Sequence, residues 1–262
     1  MERFEDVFAE QADSRHTITL STGATMLSEE YRGRYVRGAT EEELEKAKAD
    51  VDEQEREATA QRKAGIIRSM VGERLFDASL DIWRETKANA KSKAAAMRWL
   101  DTLKSNCIIV GPIGSGKTYL MACICRALVE AGWQAHSMDW GKVERDLYWL
   151  SAPDWINQVK RGFRSDEDSY RADNMLSLAK SAGILFLDDL GKVHPGANGV
   201  SWLEDQFYSL VDARYRKSLP TVVTTEWNRD ALSERVGTSV VSRLMDGAII
   251  AGMDAYEWRK PQ

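Results

Sequence analysis

The 262-residue chain is 43% hydrophobic and 29% charged, with a formal net charge of −5. That apolar share supports a sizeable core. The acidic balance excludes whole-molecule attraction to nucleic acid and leaves such binding to a local basic patch. No signal-type region opens the chain and no apolar run reaches membrane-spanning length, so the expectation is a soluble, cytoplasmic protein with no membrane partner. Cys107, Cys123 and Cys125 lack metal-binding spacing and read as small buried apolar residues in a reducing compartment.

Residues 1–40 show no strong period, although 17–22 alternates loosely, as a short strand does. At Thr40 the pattern changes. Thr40 as N-cap and Glu43 three residues later form a capping box, and the helix it opens runs to about Lys63, before Gly65. Its apolar stripe is thin: Leu44, Ala47, Val51 and Ala58. So charged a helix needs a surface to lie against, which predicts a partner-binding extension over residues 1–64. Residues 65–104 read as a connector, anchored by Leu75, Phe76, Leu80 and Trp83. A helix over 87–103 follows, packing through Ala94, Met97, Trp99 and Leu100.

From residue 105 to 262, strands and helices alternate. Strands are predicted at 107–110, 134–138, 184–187, 221–224 and 248–250. Helices are predicted after the first strand and over 142–150, 153–163, 168–180, 202–215, 229–236 and 239–245. The expected fold class is α/β: a parallel five-stranded sheet flanked by helices, with a largely helical N-terminal extension.

The stretch between the first strand and its helix is Gly111-Pro112-Ile113-Gly114-Ser115-Gly116-Lys117-Thr118. It matches the phosphate-loop pattern G-x-x-x-x-G-K-[ST] in the strand–loop–helix context that pattern requires. Its glycines let successive N–H groups turn inward on phosphate oxygens, and the helix N-terminus adds its positive end. Lys117 is then expected on the β- and γ-phosphates of ATP, and Thr118 on Mg²⁺. The apolar strand 184–187 ends in two carboxylates. Asp188 is expected to hold Mg²⁺ through water, and Asp189 to orient and deprotonate the attacking water.

Together with Leu219-Pro220-Thr221-Val222-Val223-Thr224-Thr225, the run Leu232 to Gly237, Ser242-Arg243-Leu244 and the terminal Gly252-Met253-Asp254 to Arg259, these motifs resemble AAA+ ATPases of the DnaC/DnaI helicase-loader group. That group is related to DnaA-type initiators and IstB-like transposition ATPases. The resemblance covers about residues 75–259 and implies an ATPase stimulated by DNA or assembly; the shorter arm of Asp189 makes slow turnover the expectation, and this end of the chain lacks the family's usual lid domain. It implies an arginine finger at Arg243 that reaches a neighbouring subunit, hence self-association in trans. A replicative hexameric helicase and single-stranded DNA are the implied partners. A transposase helper, or an adaptor that binds ATP with negligible hydrolysis, are the alternatives.

This chain departs from the family at two places. A Walker B Asp189 stands where many members carry Glu, and Glu226 stands where Asn usually follows the Thr pair. Sensing of the nucleotide is assigned to Thr225, with Asn228 from a shifted loop, or a weakened sensing function, as the other readings. Arg259 resembles the family's C-terminal arginine near the nucleotide. Lys160, Arg161 and Arg164 form the expected DNA contact, which Lys142 and Arg145 extend. Trp155, Ile156, Val159 and Phe163 fall at helical spacing and read as the buried face beneath it.

Overall fold

The computed structural model describes residues 17–19, 25–27, 41–87, 89–135, 146–193 and 199–254. Thr40, Lys142, Arg145 and Arg259 lie outside them. The chain divides into two compact units, residues 1–62 and 63–262. In the first, β1 (Thr17–Thr19) pairs antiparallel with β2 (Thr25–Leu27). Helix α1 (Glu41–Val71) begins in the first unit and ends in the second. It passes through Gly65, where the sequence predicts an interruption. A glycine inside a helix costs about 1 kcal/mol relative to alanine. Burial of Ile67, with Ile66, Met70 and Val71 packed alongside, offsets that cost and carries the helix two turns further.

The second unit is a parallel sheet covered on both faces. Its strands are β3 (Cys107–Val110), β4 (Gln134–Ala135), β5 (Asp146–Ser151), β6 (Ile184–Asp188), β7 (Thr221–Thr225) and β8 (Ile249–Gly252), in the order β4-β5-β6-β7-β3-β8. Its helices are α2 (Ala90–Thr102), α3 (Lys117–Glu130), α4 (Ala152–Gly162), α5 (Asp166–Ser181), α6 (Gly199–Arg216), α7 (Arg229–Val236) and α8 (Thr238–Met245).

Side chains alternate across a strand, so a strand buried on both faces must be apolar at every position. Cys107, Ile109, Ile184, Phe186 and Val222 join one core with α2, α3 and the end of α1. Ile108, Leu185, Leu187 and Val223 join the other with residues of α4 to α8. All three cysteines are buried and unbonded, and burial pushes each thiol up to about 12.

The sheet has six strands where the sequence predicts five. The addition is β5, in a stretch read as helix over 142–150. Pairing decides it: Leu147 to Ser151 lie in register with Ile184 to Asp188 on β6. Leu147 and Leu150 are buried on opposite faces, and local pattern does not see that neighbour. Ser151 then ends the strand and caps α4, its hydroxyl accepting from Asp154 N.

Two further readings are corrected. Helix α2 buries Ser92, Ala95, Ala96 and Trp99, whereas Ala94 and Met97 are exposed. Phe163, read as core, is 64% exposed, while Trp155 and Ile156 are buried. It follows the last residue of α4, so its side chain falls beyond the turn that lies on the sheet.

Candidate nucleotide site

The site lies at the carboxyl ends of β3, β6 and β7, where open parallel sheets receive ligands. Gly111 follows β3 directly and donates its N–H to Thr225 O across the sheet, 3.2 Å. No side chain fits there: an added Cβ would lie 2.5 Å from Met253 O and 2.9 Å from Ser115 Oγ. Gly116 takes φ 94° as the loop turns into α3, a left-handed conformation that costs glycine little. Lys117, buried, donates to the carbonyls of Gly111 at 2.8 Å and Pro112 at 2.9 Å. Ser115 is also buried, and its Oγ has no hydrogen-bond partner. A buried hydroxyl left without a partner is costly, and a phosphate oxygen supplies the acceptor it lacks.

Burial pulls the Lys117 ammonium below its ordinary value, and Lys192 adds to the effect. Asp189, Glu226 and Asp188 oppose it. The lysine is thus surrounded by charge but short of hydration, which suits it to meet a polyphosphate. The residues fit Mg²⁺ as well. That ion keeps several waters and takes one or two protein oxygens besides substrate phosphates. Thr118 Oγ1 donates to Asp188 Oδ1 at 3.2 Å, so the hydroxyl and the carboxylate expected at the metal are already side by side.

Asp188 ends β6 and also accepts from Thr224 Oγ1 and from Asp189 N. Burial pushes its carboxyl above the usual range, and the Thr224 hydroxyl works against that shift. Asp189 turns outward at φ 57° and pairs with Lys192 at 2.8 Å. Its N–H donates to Thr224 Oγ1 at 2.8 Å. Thr225, by contrast, is buried with its hydroxyl accepting from Trp227 N at 3.2 Å. Among the two threonines it is Thr224 that touches both carboxylate positions. Asn228 caps α7, accepting from Ala231 N at 2.9 Å.

A cavity of about 740 Å³ opens from the phosphate loop, a volume in the range of small-molecule sites. Beyond Ile113, Gly114, Gly116, Lys117, Thr118, Asp188 and Asp189, it is lined by Arg74, Leu75, Ile82, Trp83, Arg84, Tyr119 and Lys192. The Trp83 and Tyr119 rings lie 5.7 Å apart, and Trp83 Nε1 is buried without a partner. Sequence reasoning took Leu75 and Trp83 only as anchors. The connector's wrap over the P-loop had no local signal, although Trp83 between Ile82 and Arg84 has the composition of a ring-stacking wall.

A family model for the ATPase family associated with various cellular activities (AAA) matches residues 107–241, just over half of the chain. The chain belongs to the AAA family. A putative insertion sequence ATP-binding protein of Sinorhizobium fredii (strain NBRC 101917 / NGR234) is 26% identical over 179 residues. The match covers 67% of this chain and 53% of that protein, so the chain spans about half the length of the curated relative it matches. Among solved structures, the DnaC helicase loader superposes with a TM-score of 0.56 at 19% identity, covering 69% of this chain and 99% of that one. DnaI gives 0.56 at 19% identity, covering 76% and 100%. The replication initiator DnaA bound to AMPPCP and single-stranded DNA gives 0.53 at 16% identity, covering 68% and 50%. At such identities the shared property is the fold.

Two other groups of predicted residues are not among those lining the cavity. Arg243, near the end of α8, donates to Asp212 Oδ1 at 3.0 Å and to Tyr208 Oη at 3.0 Å, both on α6. It also lies 4.7 Å over the Tyr208 ring. Asp212 is shared with Arg216, 2.8 Å away. Lys160, Arg161 and Arg164 lie at the end of α4 with the exposed Phe163, whose ring is 5.9 Å from that of Trp202. Tyr170 on the adjoining α5 is exposed as well. The described residues include no helix long and apolar enough to cross a membrane.

Proposed function

We propose that this AAA protein is an ATP-dependent loader of a replicative DNA helicase onto single-stranded DNA, with ATP binding and hydrolysis as the assembly and release switch. The observation that carries it is the combination, in one unit, of a phosphate cradle with a separate aromatic and basic surface. Lys117, Ser115 and the loop N–H groups bind the phosphates, while Thr118 and Asp188 hold Mg²⁺. Phe163 offers a face on which bases stack, and Lys160, Arg161 and Arg164 neutralise backbone phosphates. That pairing suits sequence-tolerant single-strand binding. The likeness to the DnaC helicase loader and DnaI supports the helicase as partner. Residues 1–64 are the proposed grip on that partner, residues 65–104 the connector, and residues 105–262 the ATPase core.

Arg243 is the proposed finger in trans. Arg243→Ala should leave monomer nucleotide affinity near normal and remove assembly-dependent hydrolysis, by a factor on the order of 10³ where such fingers act. Poor nucleotide binding by the monomeric variant would place the residue in cis instead.

The Sinorhizobium relative favours a second reading, an ATPase helper of a transposase. A pull-down with the full-length chain as bait, in the presence of ATP and Mg²⁺, separates the two. Recovery of a hexameric helicase supports the loader, and recovery of a transposase replaces it. Absence of ATP turnover, with DNA present and with partner present, would leave an adaptor that uses ATP as structural glue.

A further inference from the structure

We propose that Lys192 is a second phosphate-binding lysine, which leaves Asp189 for the terminal phosphate when ATP enters the cavity. The proposal rests on the reading of the cavity as an ATP site. Lys192 lines that cavity together with Lys117, Thr118, Asp188 and Asp189. It pairs with Asp189 at 2.8 Å, and both side chains are partly exposed. Burial comes first among the causes that pull the Lys117 ammonium below its ordinary value, and the Lys192 charge comes second. The two lysines therefore converge on one space. Cations brought that close repel each other, and a polyphosphate between them turns the repulsion into attraction.

The backbone beneath Lys192 is built to present it there. Residues 189–192 form a turn in which Asp189 takes φ 57° and Gly191 φ 96°, and Lys192 N donates to Asp189 O at 3.2 Å. Leu190 N ties the turn to β7 by donating to Thr224 O at 2.9 Å. Trp227 Nε1 donates to Gly191 O at 3.2 Å, and the Arg235 guanidinium lies 3.7 Å over the Trp227 ring. A Cβ on Gly191 would lie 2.5 Å from Trp227 Cδ1, so this packing requires glycine. The turn is pinned from β7 and α7, and the lysine arm is the part left to move. Lysine suits that task, because its ammonium is a point charge with three donors on a flexible stem. Its bond to Asp189 is a partly exposed ion pair, a kind that contributes little and is given up at small cost. Asp189 is expected beside the water that attacks the terminal phosphate, so the lysine bound to it starts within a short swing of that group. ADP is one phosphate shorter and leaves the lysine on Asp189. The carboxylate is thus released from its cation only while the terminal phosphate is in place.

The test uses the full-length protein with Mg²⁺ and measures equilibrium binding of a non-hydrolysable ATP analogue and of ADP by titration calorimetry. Lys192→Met keeps the length of the arm and removes its charge. It should weaken the ATP analogue at least about tenfold, the worth of one charge-assisted hydrogen bond, and ADP by less than about twofold. Lys192→Arg keeps the charge and should bind both nucleotides within about threefold of the parent. Asp189→Asn removes the competing partner and should tighten the ATP analogue by about threefold, the scale of an exposed ion pair. In the Lys192→Met background that gain should vanish. Equal weakening of the analogue and ADP by Lys192→Met overturns the proposal, as does unchanged binding of both. Either result leaves Lys192 as the ion-pair partner of Asp189 and the ATP site intact. A gain from Asp189→Asn that survives in the double variant overturns it too, because repulsion between Asp189 and the phosphate would then account for the gain. A parent protein that binds neither nucleotide sinks the ATP reading itself, and this proposal with it.

Discussion

The two ends of the same sheet handle polar groups in opposite ways. At the amino ends of the strands, Arg214, Asn106 and Asp146 spend their hydrogen bonds inside the protein. Arg214, almost fully buried, gives its guanidinium to Thr221 Oγ1 and to the carbonyls of Ala179, Ala182 and Pro220 at 2.7–3.0 Å. Asn106 accepts from Thr221 N and donates to Leu244 O. Asp146 accepts from Gly183 N. At the carboxyl ends, Ser115 Oγ and Glu226 Oε2 are buried without partners, and Lys117 and Asp188 are both shifted by burial. One end has been closed by its own chain and the other keeps its valences for a ligand. Stability and binding are therefore expected to separate along the strand axis.

The largest effect expected is at the closed end. Arg214→Ala strips partners from three carbonyls and a hydroxyl at once, and should destabilise the protein by about 3–5 kcal/mol in urea unfolding, the range for breaking a buried charged network. Any surviving folded fraction should bind ATP with unchanged affinity, and a large affinity loss there would blur the separation. Next comes Lys117→Ala, which should weaken ATP binding at least about 100-fold, roughly 3 kcal/mol, while the melting temperature of the free protein falls little. Retained micromolar affinity would remove the cradle assignment.

A smaller change runs in the opposite sense. Asp188 has a folded-state pKa raised above its unfolded value, so its charged form is disfavoured by folding, and stability is lost as pH rises through that raised value. Asp188→Asn should abolish the Mg²⁺ dependence of ATP binding yet stabilise the free protein near neutral pH, by about 0.5–2 kcal/mol if it behaves like other relieved functional sites. A lower melting temperature would mean that the Thr118 and Thr224 hydrogen bonds outweigh the burial cost. Smallest of all, Phe163→Ala should leave nucleotide binding and stability alone and weaken single-stranded DNA binding by about 1–3 kcal/mol. No change in DNA affinity would remove Phe163 from the proposed DNA contact.

What was legible in the sequence follows the same division between local and distant causes. The phosphate loop could be read because Gly111 to Thr118 build their cradle from consecutive residues. The buried strands β3, β6 and β7 could be read because covering both faces requires unbroken apolar runs. Strand β5 could not: Asp146 to Ser151 acquires its conformation by lying beside β6. Helix α2 was placed correctly but rotated, since Ala and Met at 94 to 97 carry no signal of which side meets the sheet. Glu226 was visible as a departure from a family pattern, but its burial and missing partner are properties of the fold. The wall of Ile82, Trp83 and Arg84 was hidden for the same reason. A connector acquires its role only when the chain has wrapped it over the P-loop.

Asp212 has one further consequence. It is nearly buried, and two guanidinium groups share it: Arg243 on one oxygen and Arg216 on the other. If Arg243 swings out to a neighbouring subunit, the carboxylate is not stranded, because Arg216 stays with it and is free to take the vacated oxygen. The event is a change of partners, with no naked charge left in a low-dielectric pocket. On the proposed reading of Arg243 as a finger in trans, its departure would leave Asp212 still paired with Arg216.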